Sequence, residues 1–446
     1  MNKIQNALSR TTDTKALIIA RDALPQTAEM FAELFPGRRA LVMADTNTYP
    51  IAGQAVVDSF RQAGIGQDEP VVFQAPEPHA EWTYVEKLMG ILNATDAVPV
   101  AVGSGVINDL VKVASHRCGR RYLCVGTAAS MDGYTAYGSS ITYKGSKQAF
   151  DCPAPLGMLI DTRVVAAAPS DMSASGYADL LAKVPAGADW ILADAIGAEP
   201  MNKPAFDMVQ DGLLNALGDP KGVNDGREDR VAPLVEGLLL AGFAMQAHHS
   251  SRPASGAEHQ FSHLWDMEHH TFNGQGVSHG FKVGIGTLAS TAFHEFLIAA
   301  PVGALDIDAC VAAWPSWDET EKEIRRVFNN DESFLGRCIG ETKAKYATPV
   351  ELRAQLSALR EKWPELKPAL EKQILPFAEI KRRLREVGAA HEPEQIGISR
   401  AKLRETFTKV PYMRSRVNVI DVAVRCRFFD AWLDRLFGPG GVWEIK

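Results

Sequence analysis

Short runs of Val, Ile, Leu and Ala punctuate the first third of the chain, at 16–20, 40–44, 71–74, 97–102, 122–125 and 158–160. None alternates cleanly between apolar and polar positions. That is the pattern of strands buried on both faces of a parallel sheet. Between them, apolar residues recur at helical spacing over 54–62, 82–92 and 106–116. The order is strand, helix, strand, helix, which predicts a doubly wound sheet. From about residue 166 the pattern changes, and helical spacing dominates over 175–195, 234–248, 255–267, 281–296, 319–326, 350–362, 367–387, 400–409 and 417–437. No buried strand is expected there. The predicted fold class is α/β plus all-α. A Rossmann-like dinucleotide-binding domain (1–165) is followed by a helical metal-binding domain (166–446), with the change near Pro169.

Composition alters this picture little. The 446 residues are 46% hydrophobic and 23% charged, an ordinary globular balance. A net charge of −7 and the lack of a long basic run argue against a nucleic-acid surface. The six cysteines form no CxxC pair and suit reduced thiols in the cytoplasm. The apolar run 234–245 is too short to span a bilayer and carries Glu236, so no membrane insertion is expected.

Candidate chemistry begins where the strand at 98–102 runs into Gly103-Ser-Gly-Val-Ile-Asn-Asp-Leu-Val-Lys112. The glycines let backbone approach a ligand, and the helix behind them aims N–H groups at an anion. Gly103, Ser104 and Gly105 therefore read as a nucleotide phosphate cradle, although the run is not GxGxxG and a plain glycine turn is the other reading. Asp45 ends the second strand. It suits either a ribose diol or an Asx-turn. Thr127, Ser130 and Asp132 stand at the carboxyl edge of the fifth strand, where ligands bind in such sheets; turn chemistry is the alternative.

Seven of the eleven histidines fall between His248 and His279. Ser255 reads as an N-cap with Glu258 completing a capping box. His259 and His263 then share one helix face. His279 follows as a loop histidine after the turn Asn273-Gly-Gln-Gly276. His248, His249, His269 and His270 read as solvated or capping. Asp179 lies in an otherwise apolar helical stretch, where a carboxylate is expensive to bury unless paired or metal-bound. Asp179, His259 and His279 together make an Asp/His/His set for one divalent metal, Zn, Ni or Fe.

Five segments in this order resemble the sn-glycerol-1-phosphate dehydrogenases, of the metal-dependent alcohol dehydrogenase and dehydroquinate synthase superfamily. They are 103–112, Thr127-Ala-Ala-Ser-Met-Asp-Gly-Tyr-Thr135, Gly176-Tyr-Ala-Asp-Leu-Leu-Ala-Lys183, Ser250-Ser-Arg-Pro-Ala-Ser-Gly-Ala-Glu-His-Gln-Phe-Ser-His263 and Ser278-His-Gly280. The resemblance implies a dehydroquinate synthase-like fold with its active site in the cleft between the domains. It implies NAD(P) contacts at Asp45, Gly103, Ser104, Gly105, Thr127 and Ser130, and metal ligands at Asp179, His259 and His279. Asp132 and His263 would contact substrate, with Asp179 beside them. The implied reaction is reversible reduction of dihydroxyacetone phosphate to sn-glycerol 1-phosphate, with metal as Lewis acid and a proton from His263 or a water. Ala136 stands where the family often has a serine contact to cofactor. The protein is expected to take a small phosphorylated substrate and to form a homo-oligomer, a dimer or larger. Lys144 and Lys147 are the phosphate candidates, with a solvated hairpin as their other reading. A related polyol or phosphosugar dehydrogenase stays open as an alternative. A non-catalytic nucleotide sensor would need a damaged metal triad, and all three ligands are present.

Overall fold

The computed structural model describes residues 3–74, 78–144 and 146–446; the side chain of Lys147, one of the phosphate candidates, lies outside the described part. The chain packs as two compact units. The first comprises Met1–Leu180, Asp207–Ser251 and Glu386–Gly388, the second Leu181–Phe206, Arg252–Arg385 and Ala389–Lys446.

The first unit holds a six-stranded sheet of β1 (Ala16–Ala20), β2 (Ala40–Asp45), β3 (Val71–Phe73), β4 (Val98–Gly103), β5 (Leu123–Gly126) and β8 (Gly157–Asp161). Its order is β1-β8-β5-β4-β2-β3. Every pairing is parallel, with Gly103 opposite Gly126 and Met43 opposite Ala101. β4, β5 and β8 are buried throughout and β2 everywhere but at Asp45, which is why their sequences lack alternation. Phe31, Val42, Phe60, Val100 and Leu159 belong to the cluster that packs one face. The strands β6 (Ser139–Tyr143) and β7 (Ser146–Phe150) form a separate antiparallel hairpin. Lys144 sits at its turn with φ 49°, its ammonium over the Tyr143 ring.

The helix Glu228–His248 is longer than the apolar run predicts. It is the one described helix long and apolar enough to cross a membrane, and 61% of its apolar window is buried inside the protein, as in a core helix. Its Pro233 lies beyond the first turn, so the bond a residue there would donate to Asp229 O is missing inside the helix.

The second unit is helical apart from a two-residue hairpin, β9 (Thr271–Phe272) and β10 (Gln275–Gly276). Asn273 and Gly274, both at positive φ, make the tight turn expected of Asn-Gly. Phe407 packs its ring 4.8 Å from Phe261 and 4.9 Å from Phe293. This sets the helix Ala257–Met267 against His279–Ala299 and Arg400–Lys409, and Trp265 Nε1 donates to Thr406 at 3.0 Å.

Several expected helix limits shift. The stretch 175–195 is two helices, Ser170–Leu181 and Lys183–Ala195. The helix Pro349–Gln373 runs through Pro364 and Pro368, because Leu359, Trp363, Leu366 and Leu370 bury one continuous face that outweighs the lost backbone bonds. The stretch 417–437 divides at Arg427, which adopts φ 61°.

Candidate active site

The end of β4 is the hub of the first unit's ligand edge. Thr127 N–H donates to Gly103 O at 3.1 Å, so the two loops leave the sheet side by side. Ser104 is the N-cap of the helix Gly105–Arg117, but its side chain makes no cap hydrogen bond. The first helical N–H groups have no carbonyl of their own turn to reach. They suit an anionic group instead. A Cβ on Gly103 would meet Ile107 at 2.6 Å, and one on Gly105 would meet Met131 Cε at 2.7 Å. The glycines therefore let the loop close on its own helix and on the next loop.

Asp45 is a turn residue in its own right. Its Oδ1 accepts from Asn47 N–H at 2.9 Å and Thr48 N–H at 2.7 Å. Thr48 Oγ1 in turn donates to Val102 O at 3.0 Å, tying the end of β2 to β4. A carboxylate has a second oxygen, so the turn and a ribose contact are compatible. Asp45→Asn keeps the turn acceptor and removes the charge. NADH affinity is expected to fall about tenfold, the scale of one charge-assisted hydrogen bond, while NADPH is spared because a repulsion with its 2′-phosphate disappears. Titrating both dinucleotides checks this; equal losses would leave Asp45 as a turn residue only.

The loop after β5 is gathered by groups the sequence did not single out. Lys112, buried to 1% exposure, donates to Gly133 O, Ala136 O and Gly138 O at 2.8, 3.1 and 3.1 Å. Gly176 lets the helix Ser170–Leu181 rest on this loop, since a Cβ there would lie 1.9 Å from Ala129 O. Gly242 does the same for Glu228–His248, where a Cβ would lie 2.2 Å from Thr135 Oγ1. Asp179, fully buried, accepts from Asp132 N–H at 3.1 Å through Oδ2. Ser130 lends its carbonyl to Ser175 Oγ at 3.3 Å. Thr127, Ser130 and Asp132 are thus held from both sides.

In the second unit, the expected cap of the histidine helix is corrected. Gly256, not Ser255, is its N-cap, and no side chain of its own caps it. Asp189 Oδ2, from another helix, accepts from Ala257 N–H at 2.8 Å. Glu258 Oε1 accepts from Gly256 N–H at 2.6 Å and from His259 Nδ1 at 2.8 Å. Asp189 Oδ1 also accepts from Val419 N–H and meets His294 Nε2. His279 is corrected too: it is the first residue of the helix His279–Ala299 rather than a loop residue, with Ser278 as N-cap. Ser262 Oγ lies 3.3 Å from His279 Nδ1. The two helices approach closely because Gly286 carries no Cβ, which would sit 2.2 Å from Glu258 O. The rings of His259 and His279 are 5.5 Å apart, and those of His263 lie 6.2 and 6.4 Å from them. Glu258 at His259 Nδ1 and Ser262 at His279 Nδ1 are contacts of the kind that orient a ligating imidazole.

Among the described residues, Asp179, His259 and His279 form a group of metal-type donors whose ligand atoms all lie within 4.8 Å of one another. His263 is not part of it. Neither are the other four histidines of the stretch: His248 Nδ1 meets Ser250 Oγ at 3.3 Å, His249 ends a helix at positive φ, His269 is exposed and His270 Nε2 donates to Ile396 O at 2.6 Å.

Residues 18–169 match the family model for iron-containing alcohol dehydrogenases. A Bacillus velezensis protein named glycerol-1-phosphate dehydrogenase (NAD(P)+) is 32% identical over 273 residues, 58% of this chain and 68% of its own. A Pyrococcus furiosus protein of the same name is 30% identical over 63% of this chain and 78% of its own. Among solved structures, glycerol dehydrogenase from Schizosaccharomyces pombe aligns with TM-score 0.56 at 16% identity, covering 95% of this chain and 91% of that one. Sulfoacetaldehyde reductase from Bifidobacterium kashiwanohense, solved with NAD+, aligns with TM-score 0.56 at 15% identity over 94% and 97%. These two show the fold, as expected from the strand and helix pattern.

Proposed function

The chain belongs to the glycerol-1-phosphate dehydrogenase family, and from that premise we propose that it reduces dihydroxyacetone phosphate to sn-glycerol 1-phosphate, reversibly, with NAD(P)H and one divalent metal. It is an NAD(P)-dependent oxidoreductase. In this reading residues 1–165 carry the dinucleotide, residues 166–446 carry the metal ligands, and the enzyme works in the cytoplasm.

The grouping of Asp179, His259 and His279 carries the reading. A buried carboxylate and two imidazoles, each imidazole oriented through Nδ1, fit a catalytic divalent ion that keeps a coordination position for substrate. With no thiolate in the set, Zn, Ni and Fe all suit it. When bound, the metal would supply Lewis acidity at the substrate carbonyl and the reduced nicotinamide would supply hydride to C2. The chain's own groups do the rest. Glu258 fixes the His259 ring, and Asp132 N–H fixes one oxygen of Asp179. His263, half-buried beside both outer rings, gives a proton to the new C2 oxygen. Asp132 meets the substrate. Gly103, Ser104 and Gly105 present helix N–H groups to the dinucleotide phosphates, and Asp45, Thr127 and Ser130 complete its contacts.

The test uses metal-free protein reconstituted with Zn, Ni or Fe in turn and assayed with dihydroxyacetone phosphate and NADH or NADPH. Activity is expected only with metal, and chiral analysis is expected to give the sn-1 product. Turnover after exhaustive chelation would remove the metal from the mechanism. Equal use of unphosphorylated dihydroxyacetone would make the enzyme a polyol dehydrogenase instead.

A further inference from the structure

The helix Ala257–Met267 carries His259, and its N-cap, Gly256, has no side chain to close the first turn. The first N–H groups of a helix find no acceptor within their own turn. Two fully buried carboxylates divide them here. Glu258 Oε1 takes Gly256 N–H at 2.6 Å and also meets His259 Nδ1 at 2.8 Å. Asp189 Oδ2, from the helix Lys183–Ala195, takes Ala257 N–H at 2.8 Å. The two carboxylates crowd the helix start. A Cβ on Gly256 would lie 2.4 Å from Asp189 Oδ2 and 2.9 Å from Glu258 Oε2.

The other oxygen of Asp189 is held as firmly. Oδ1 takes Val419 N–H at 2.8 Å, at the start of the helix Val419–Arg425, and lies 3.0 Å from His294 Nε2. A carboxylate only accepts, so the imidazole of His294 donates. His294 is fully buried on the helix His279–Ala299, the one that His279 begins. Arg252 Nη2 donates to Asp189 O at 3.3 Å and to Val417 O at 3.4 Å, which fixes the backbone at the same junction. Three N–H donors from three helices thus set the Asp189 carboxylate. Neither of its oxygens can turn away without stranding a buried donor.

This division leaves Glu258 to hold His259. Were Asp189 unable to take Ala257 N–H, the other carboxylate at hand would be that of Glu258, whose Oε2 has no hydrogen-bond partner among the described residues. Reaching Ala257 N–H would need that carboxylate to rotate, which draws Oε1 off His259 Nδ1. We propose that Asp189 is a positioning residue for the metal: by occupying Ala257 N–H it keeps Glu258 on His259, and so keeps His259 oriented as a ligand. This relay rests on the reading of Asp179, His259 and His279 as the metal ligands.

Metal affinity of the full chain tests it, read by competition for Zn²⁺ between a chelator and metal-free protein. Asp189→Asn keeps the size and one oxygen. With that oxygen on Val419 N–H and His294, the amide nitrogen faces Ala257 N–H donor to donor. Zn²⁺ affinity is expected to fall about tenfold, the lower end for a group that orients a ligating histidine. The double variant Asp189→Asn with Glu258→Gln should bind Zn²⁺ no worse than Glu258→Gln alone, since the hydrogen bond that Asp189 protects is already gone. A role in stability alone would make the two losses multiply instead. With Co²⁺ in place of Zn²⁺, the visible absorption of Asp189→Asn should move towards that of Glu258→Gln. Losses that multiply overturn the proposal. Should Asp189→Asn fail to fold, two His294 variants decide. His294→Gln keeps an N–H for Asp189 Oδ1 and should bind Zn²⁺ as the wild type does. His294→Leu removes it and should lose about threefold, the scale of one hydrogen bond. Equal affinity in these two overturns the proposal. A wild type that takes up no Zn²⁺ sinks the metal reading and the relay with it. A wild type that binds Zn²⁺, beside an Asp189→Asn variant of equal affinity, sinks the relay alone.

Discussion

Replacing His259 by alanine is expected to empty the metal site and abolish turnover, whereas replacing His263 leaves the metal in place and costs about 10²–10⁴-fold in kcat. The two side chains stand one turn apart on the same helix, with rings 6.2 Å apart. Their surroundings differ. His259 is buried and hydrogen-bonded through Nδ1 to Glu258, and it belongs to the donor group with Asp179 and His279. His263 is half-buried and stands outside that group. A missing ligand and a missing proton donor fail differently. Metal stoichiometry should fall in parallel with rate for His259→Ala and stay at the wild-type value for His263→Ala. The pH dependence of kcat should lose one titration only in His263→Ala. Metal lost from His263→Ala and kept by His259→Ala reverses the assignment, and full activity in both ends the catalytic reading of this helix.

Glu258→Gln should cost about 10–100-fold in metal affinity although Glu258 is no ligand, because it fixes the orientation and basicity of His259. The glutamine oxygen still accepts from Gly256 N–H, so the helix start survives. Glu258→Leu removes that acceptor as well and should destabilise the metal-free protein by a further 1–3 kcal/mol or so, the cost of a buried N–H without a partner. Competition against a chelator reads the first effect, and thermal melts of metal-free protein read the second. Wild-type metal affinity in Glu258→Gln would show that the Glu258–His259 bond only shapes the helix start.

Much of the dinucleotide side was legible in the chain, because its signals are local. A run of Val and Ala into Gly-Ser-Gly and then a helical pattern lies within about twenty consecutive residues, and β4 and Gly105–Arg117 formed close to where that pattern set them. The Asx-turn at Asp45 was one of two readings, and the turn is present. Local pattern misled at the histidine helix. Ser255 followed by Glu258 is a good capping-box spacing, yet Asp189, 68 residues away, supplies the cap at Ala257. The pattern misled also at Pro364 and Pro368, where a buried face carried the helix onward. Lys112 and Gly176 both lay inside stretches read for other reasons, and nothing local marked them as the groups that gather the loop after β5.

The sequence by itself determined the donor types, the parallel sheet and the positions of the glycine turns. These follow from side-chain chemistry and from backbone preferences that act over a few residues. Only the tertiary structure decided which groups meet Nδ1 of His259 and His279, which carboxylate orients His259 and which helices press the Thr127–Asp132 loop into place. Gly176 stands 47 residues after Ala129 and Gly242 stands 107 residues after Thr135, the groups they touch. The physical reason is that such contacts are chosen by burial and by the satisfaction of buried polar groups, and both are properties of the packed chain as a whole.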